Sequence, residues 1–152
     1  QRCTNHKTMN VIDKLPRTEQ PEATTRVRAI WQANSEVAAR KLAAQVVHDF
    51  RQAGYDRAAD CLADDLDRCL TFYQFPEPHW SHLRTTNVIE SVQSMIGRRT
   101  DKVDHWRNSN HLHRWFASAL LEIEPRLRKV CGYQHLPKLR QVLGNTERAK
   151  AA

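Results

Sequence analysis

The sequence predicts a mainly α-helical protein, and three observations carry that reading. Only four of 152 residues are glycine, at positions 54, 97, 132 and 144, while Leu and Ala are frequent and β-branched runs are absent. Apolar residues recur at intervals of three and four in several separate stretches. No stretch shows the apolar–polar alternation of a half-buried strand. A chain of this length makes one domain, or one domain with a tail, and can bury a modest core.

Residues 5–14 read as a short helix ending near Leu15-Pro16. Pro21 is placed to open the next helix, with Val27, Ile30 and Trp31 on one face. Ser35 is the expected N-cap of a helix through about Ala53, whose stripe is Ala38/Ala39, Leu42, Val46 and Phe50; Gly54 suits its C-terminal stop. Residues 55–73 show the clearest stripe of this half: Ala58/Ala59, Leu62, Leu66, Cys69/Leu70 and Tyr73. Asp56, Asp60, Asp64, Asp65 and Asp67 fall on other faces and read as solvated helix surface rather than a metal site. Pro76 and Pro78 end that run. Phe75, His79 and Trp80 in the following connection fit either the entrance to a site or, better on pattern, a hydrophobic plug under a loop.

The segment Arg84-Thr85-Thr86-Asn87-Val88-Ile89-Glu90-Ser91 opens the next helix. Asn87 is an N-cap residue type and Glu90 lies three positions on, a capping-box spacing. Val88, Ile89, Val92, Met95 and Ile96 fall within an arc of roughly 120°, and Glu90 points about 160° from its centre. Two readings fit a carboxylate so placed: a capping glutamate on a solvated face, or a ligand holding a metal ion against a nucleic-acid phosphate. Residues 99–110 are polar and basic and read as a loop. Asn108-Ser109-Asn110 then caps a long helix with the stripe Leu112, Trp115/Phe116, Ala119/Leu120, Ile123, Leu127 and Val130. Pro125 should kink or restart it, and Gly132 should stop it. A short helix is expected from Pro137 to Leu143, with a frayed tail after Gly144.

Charge divides the chain. Residues 1–80 carry 11 Lys/Arg and 11 Asp/Glu, whereas residues 81–152 carry 13 and 6, so the whole net charge of +7 lies in the second part. That asymmetry points to a polyanion partner for the second part. Arg98, Arg99, Lys102 and Arg107, with Trp106 among them, are the best nucleic-acid candidates, because cations neutralise phosphates and an indole stacks on an unpaired base. The plainer reading of that segment is a solvated loop with its Trp tucked into the core. Four scattered cysteines without a C-x-x-C pair argue against a disulfide framework. Cys3 and His6 have a spacing found in zinc sites, but a structural site needs about four ligands and no second pair follows. No run of about 18 apolar residues exists to cross a membrane.

The 84–91 segment resembles the T-T-N-x-I-E-S motif of Mutator-family bacterial insertion-sequence transposases. Gln1-Arg2-Cys3-Thr4-Asn5-His6-Lys7 is similar to that family's Q-R-C-x-x-H-K signature, followed by Asn10-Val11 and Leu15-Pro16. Arg99 through Arg107 resembles the block after the glutamate, and Arg126 through Leu139, centred on Gly132-Tyr133-Gln134-His135-Leu136-Pro137, resembles the family's C-terminal end. The chain departs from the pattern at Thr4-Asn5, where an aromatic residue often sits.

The resemblance implies a DDE-type transposase with an RNase H-like core, which cuts and rejoins DNA at the element's terminal inverted repeats. Three carboxylates bind divalent metal there, with Mg²⁺ expected, and Glu90 matches the glutamate. Cys3, His6, Thr86 and Asn87 are the signature residues. The two aspartates lie upstream of the C-x-x-H signature in the family, and this chain begins at that signature with Gln1. It is therefore expected to be a C-terminal portion, inert alone. Residues 1–80 would form the signature and a helical insertion, and residues 81–152 the part of the core carrying the glutamate and a basic DNA-facing segment. The sheet would be mostly missing, with a strand remnant near Gln1–Cys3. DNA, a homo-oligomeric state in the intact enzyme and a bacterial cytoplasmic, nucleoid-associated location are implied in the same way. The alternative is a catalytically dead basic helical DNA-binding or interaction module left by a decayed element.

Overall fold

The computed structural model describes the backbone of residues 1–151 and the side chains of residues 1–144. Four helices form the main core: α1 (Thr4–Ile12), α2 (Gln20–Trp31), α3 (Glu36–Gln52) and α4 (Asp56–Ala63). Their boundaries follow the local chemistry. Ser35 Oγ accepts from the Ala38 N–H and starts α3. Pro21 occupies the first turn of α2, where its missing N–H costs nothing. Gly54, at φ +79°, turns the chain out of α3.

Val11, Val27, Ile30, Trp31, Ala39, Ala43, Val46, Phe50, Ala59 and Leu62 fill the space between these helices. Helix α3 turns Ala43 rather than the expected Leu42 inward, because α2 and α4 lie too close to its centre for a larger side chain; Leu42 is exposed. Two polar groups enter this core with partners. Trp31 Nε1 donates to Thr8 Oγ1 at 2.9 Å. Lys7, only 1% exposed, lays its methylenes through the core. Its ammonium donates to the Asp64 carbonyl at the C-terminal end of α4, where a helix favours a cation.

The run expected over 55–73 is broken. Asp65 adopts a left-handed conformation (φ 57°), so α4 stops at Ala63 and α5 (Leu66–Leu70) starts in a new direction. Asp is tolerated in that region, and Arg2 and Arg68 hold its carboxylate there. A 3-10 turn (Thr71–Gln74) follows, then a second (Glu77–His79) and α6 (Trp80–Leu83). Phe72, Tyr73 and Trp80 stack with centroids 4.2–5.9 Å apart, and Trp80 Nε1 donates to the Phe75 carbonyl at 2.7 Å. Of the residues expected to form the plug, Trp80 joins this cluster beside Phe72 and Tyr73, and His79 is buried separately, while Phe75 contributes its carbonyl.

Helices α7 (Asn87–Thr100) and α8 (Ser109–Ile123) pair around a second, small core of Ile96, Ala119 and Ile123, flanked by Val92 and Met95. Much of the apolar surface expected to pack lies exposed, including Val88, Ile89, Leu112, Trp115, Phe116 and Leu120. The physical reason is geometric: two crossing helices cover only the residues at the crossing. Pro125 ends α8 at Ile123 through a 3-10 turn (Glu124–Arg126), so Leu127 and Val130 fall outside the helix that their spacing predicts. Helix α9 (Leu136–Ala151) runs on past Gly144, longer than the short helix expected there; Ala152 lies outside the described residues. Among the described residues there is no strand. Near Gln1–Cys3 the backbone instead pairs with a helix end, the Arg2 N–H reaching the Arg68 carbonyl at 2.9 Å. No described helix is long and apolar enough to cross a membrane.

Candidate active site

Two stretches 80 residues apart are brought together by the backbone. The Thr4 N–H and Thr4 Oγ1 both donate to the Arg84 carbonyl, each at 2.9 Å, and Arg84 Nη1 donates to the Trp31 carbonyl at 2.8 Å. Asn5 Nδ2 adds a bond of 3.2 Å to Asn87 Oδ1. These contacts set the N-terminus of α1 beside the N-terminus of α7.

The site at that junction consists of Cys3, His6, Thr86 and Glu90. Cys3 is the N-cap residue of α1, and Thr86, not Asn87, is the N-cap residue of α7. The Thr86 carbonyl accepts the Glu90 N–H at 2.9 Å, so the helical ladder opens one residue earlier than the capping-box spacing implies. The Asn87 side chain, freed from capping, faces Asn5. Thr86 makes no side-chain cap bond to its own helix. Its Oγ1 instead lies 2.5 Å from Glu90 Oε1 and 3.3 Å from Cys3 Sγ. His6 Nε2 stands 3.8 Å from the same Oε1, close enough for an ion pair when the imidazole is protonated. Glu90 is about half exposed (48%), consistent with a carboxylate facing away from the packed side. Burial raises the Cys3 thiol, but the Thr86 hydroxyl, the His6 and Thr86 backbone amides and the His6 side chain outweigh it. Together they bring its pKa from 9.0 down to about 7.

The basic residues predicted to meet nucleic acid lie at the other end of α7. Arg98 and Arg99 occupy its last turn, about 12 Å along the axis from Glu90. Arg98 faces solvent and bonds Ser94 Oγ at 3.1 Å. Arg99 is differently engaged: its guanidinium donates to Glu122 at 2.8 Å and to the Met95 carbonyl at 2.9 Å, tying α7 to α8. Lys102 and Arg107 are exposed in the loop that follows. Trp106 is half-buried, its ring 5.7 Å from that of His111, so it is not sunk in the core. Asn108 Oδ1 caps α8 by accepting the His111 N–H at 2.9 Å. Arg107, Asn108, Asn110, His111 and Arg114 line a hollow of about 540 Å³ at that helix N-terminus.

A second group of cations escapes the sequence reading. The segment after α8 folds back across α6 and α7, held by a Cys131 N–H to His82 Nε2 bond of 3.0 Å. A cleft of about 580 Å³ lies beneath it, with Val88, Val92 and Met95 on one wall and Arg126, Arg128 and Lys129 on the other. The only sequence signal for it is the pairing of Arg126 with Arg128-Lys129, masked by the apolar spacing of Leu127 and Val130 that extends a helix across them.

The fold and the site thus define an all-helical unit that presents one carboxylate beside a Cys-x-x-His helix start, with cations at the far end of the same helix. Residues 1–127 match the family described as "Transposase, Mutator family", and the chain belongs to that family. It is similar to the transposase for insertion sequence element IST2 of Acidithiobacillus ferrooxidans, at 40% identity over 67% of this chain and 34% of that protein. A second relative is the transposase for IS6120 of Mycolicibacterium smegmatis, at 38% over 66% of this chain and 31% of that protein. A third, the transposase for ISRM5 of Rhizobium meliloti, is 25% identical over 93% of the chain and 35% of its own length. The chain therefore spans about a third of the length of these relatives. No solved structure matches it.

Proposed function

We propose that this chain forms the glutamate-bearing, DNA-facing part of a DDE-type DNA transposase that acts at the terminal inverted repeats of its element. One observation carries the reading: the Cys3–His6 signature and Glu90 meet at a junction of two helix N-termini, although more than 80 residues separate them in the chain. Family membership supports the same activity.

In this reading Glu90 is one ligand of a divalent cation. The residues fit that role only in part. An exposed carboxylate oxygen is a suitable donor for hard Mg²⁺, but among the described residues no group of three or more His, Cys, Asp or Glu can hold a metal ion. The reading places the remaining carboxylates outside this chain, which covers 34% and 31% of the length of two relatives. A divalent ion held in part by Glu90 would supply activation of the attacking oxygen and charge stabilisation of the leaving oxygen. The chain's own residues do the positioning. The helix start fixes the Glu90 backbone, Thr86 engages its carboxylate, Arg98, Lys102 and Arg107 hold the DNA backbone along the continuation of α7, and Trp106 stacks on an unpaired base. Arg99 supports that surface by bracing α7 against Glu122.

The test is Glu90→Gln in a full-length transposase containing this chain. Strand cleavage of a duplex carrying the element's end is expected to be abolished, with DNA affinity unchanged. Cleavage at the wild-type rate would remove Glu90 from the mechanism.

A further inference from the structure

We infer that Cys3 and Thr86 form a hydrogen-bonded relay that fixes the orientation of the Glu90 carboxylate, which makes both positioning residues for the proposed reaction. The argument starts from proton counting. Thr86 carries one hydroxyl proton and has two partners, Glu90 Oε1 at 2.5 Å and Cys3 Sγ at 3.3 Å. An ionised carboxylate can only accept. The shorter, charge-assisted contact therefore takes the hydroxyl proton, and Thr86 Oγ1 is left with lone pairs facing the Cys3 sulfur. The protonated thiol satisfies that arrangement by donating its S–H, and the chain of donors then runs from Cys3 S–H to Thr86 O–H to Glu90 Oε1. The thiolate instead accepts from Thr86 and competes with Glu90 Oε1 for the same hydroxyl proton.

The local structure is arranged around this relay rather than around helix stability. A Thr at an N-cap ordinarily bonds an amide of its own first turn, and Thr86 forgoes that bond. Glu90 in turn is oriented from two sides, by Thr86 through a bond and by His6 Nε2 at 3.8 Å. Cys3 is held in place by backbone, since the neighbouring Thr4 is tied to Arg84 by two bonds of 2.9 Å. The relay gives a physical reason for a cysteine three residues before the histidine: from the N-cap of α1 it reaches the hydroxyl that orients Glu90.

The consequence for catalysis rests on the reading of Glu90 as a reactive-site carboxylate, whereas the relay itself does not. Two measurements separate them. In the full-length transposase, the rate of end cleavage is followed against Mg²⁺ concentration. Thr86→Val, which keeps shape and removes the hydroxyl, is expected to lower cleavage at saturating metal by about 10–100-fold, the range seen for groups that orient metal ligands. Thr86→Ser restores most of it. Cys3→Ala is expected to cost several-fold and Cys3→Ser little, and Cys3→Ala combined with Thr86→Val is no slower than Thr86→Val alone, because Cys3 acts through Thr86. In the 152-residue chain itself, the reaction of Cys3 with a pyridyl disulfide is resolved by peptide mass spectrometry. Glu90→Gln is expected to change that rate when Thr86 is present and to leave it unchanged in the Thr86→Val background. Additive effects of the Cys3 and Thr86 changes, or a Cys3 rate indifferent to Glu90→Gln, would overturn the relay. Wild-type cleavage by Glu90→Gln would instead overturn the proposed function, with the Cys3 measurement still deciding whether the relay exists.

Discussion

Gly132→Ala is a sharp test of how the segment after α8 is held. Gly132 has φ +74°, and a Cβ built there would stand 2.9 Å from both Pro78 Cβ and the Pro78 carbonyl oxygen. Placing an L-residue in the left-handed region costs about 1–2 kcal/mol. Neither Pro78 contact can yield by rotating a flexible side chain, so the clash adds an overpacking cost of about 1–3 kcal/mol. The contacts that retain the segment are weaker. The bond from the Cys131 N–H to His82 contributes about 1 kcal/mol. Lys129 over the Tyr133 ring, 4.6 Å from its centroid, lies within the segment and does not attach it to α6. The strain therefore exceeds the attachment, and the segment should lift away from α6 while the α1–α4 core stays folded. A shift of about 2 kcal/mol raises the open population about 30-fold. Limited trypsin digestion reads this directly, since Arg126, Arg128 and Lys129 all lie in the released stretch. Cleavage there should accelerate by at least roughly tenfold, with the thermal midpoint of the main core unmoved. Gly144→Ala is the control, because nothing lies within 4 Å of its Cβ position. Equal digestion rates for the two variants would show that the Pro78 contact is not made.

Two further predictions concern the site and the basic surface. Cys3, with a pKa of about 7 instead of 9.0, is about half thiolate at neutral pH against about 1% for an ordinary thiol, a gain of about 50-fold. Its lower basicity reduces intrinsic nucleophilicity about 6–10-fold, so disulfide exchange at pH 7 should be about 5–8 times faster than for an unperturbed thiol. Its rate should rise with pH and level off above about 7; an inflection near 9 would contradict the donor set around its sulfur. Replacing Arg98, Lys102 and Arg107 together by Ala should flatten the dependence of DNA affinity on salt, by about 0.9 in log–log slope for each phosphate that no longer has a cation beside it. Fluorescence anisotropy across a salt series measures this, and an unchanged slope would place the DNA elsewhere, with Arg126, Arg128 and Lys129 the next cations to replace.

The first four helices are legible in the sequence because their signals are local. Ser35, Pro21 and Gly54 act within one turn of the boundaries they set. The break at Asp65 is not legible, because its left-handed backbone is held by Arg2 from 63 residues away. The same reason explains why Asn87 is not the cap: Asn is an equally good cap in sequence, but Asn5 claims its side chain and Thr86 begins the helix. The stripe of α8 is amphipathic, as its spacing says, yet much of it is not buried. Periodicity reports which face is apolar and says nothing about how much of that face a partner covers. At the site, the direction of Glu90 on the helix fits a solvated cap equally well, and it is resemblance that picks the residue out. Its bond to Thr86 is not legible, since the hydroxyl's choice between capping and carboxylate depends on Cys3 arriving from the other end of the fold.

The geometry also explains why a helical unit of some 80 residues should stand between the signature and the glutamate. Three of the bonds at the junction of α1 and α7 end on Arg84 or start from it, and two of those use its backbone carbonyl. The third runs from its guanidinium to Trp31, whose indole is anchored to Thr8 in α1. Arg84 is thus gripped by α1 directly and by α2 through Trp31, and the angle between them is set by the packing of the α1–α4 core. A well-packed core is stiff because changing the volume at any point strains its neighbours. The intervening helices therefore act as a rigid spacer that returns the chain to its own beginning, and Glu90 inherits its position from them. A carboxylate on an isolated α7 would have the same helix and the same Thr86, but no Cys3 to orient the hydroxyl and no fixed direction in which to point.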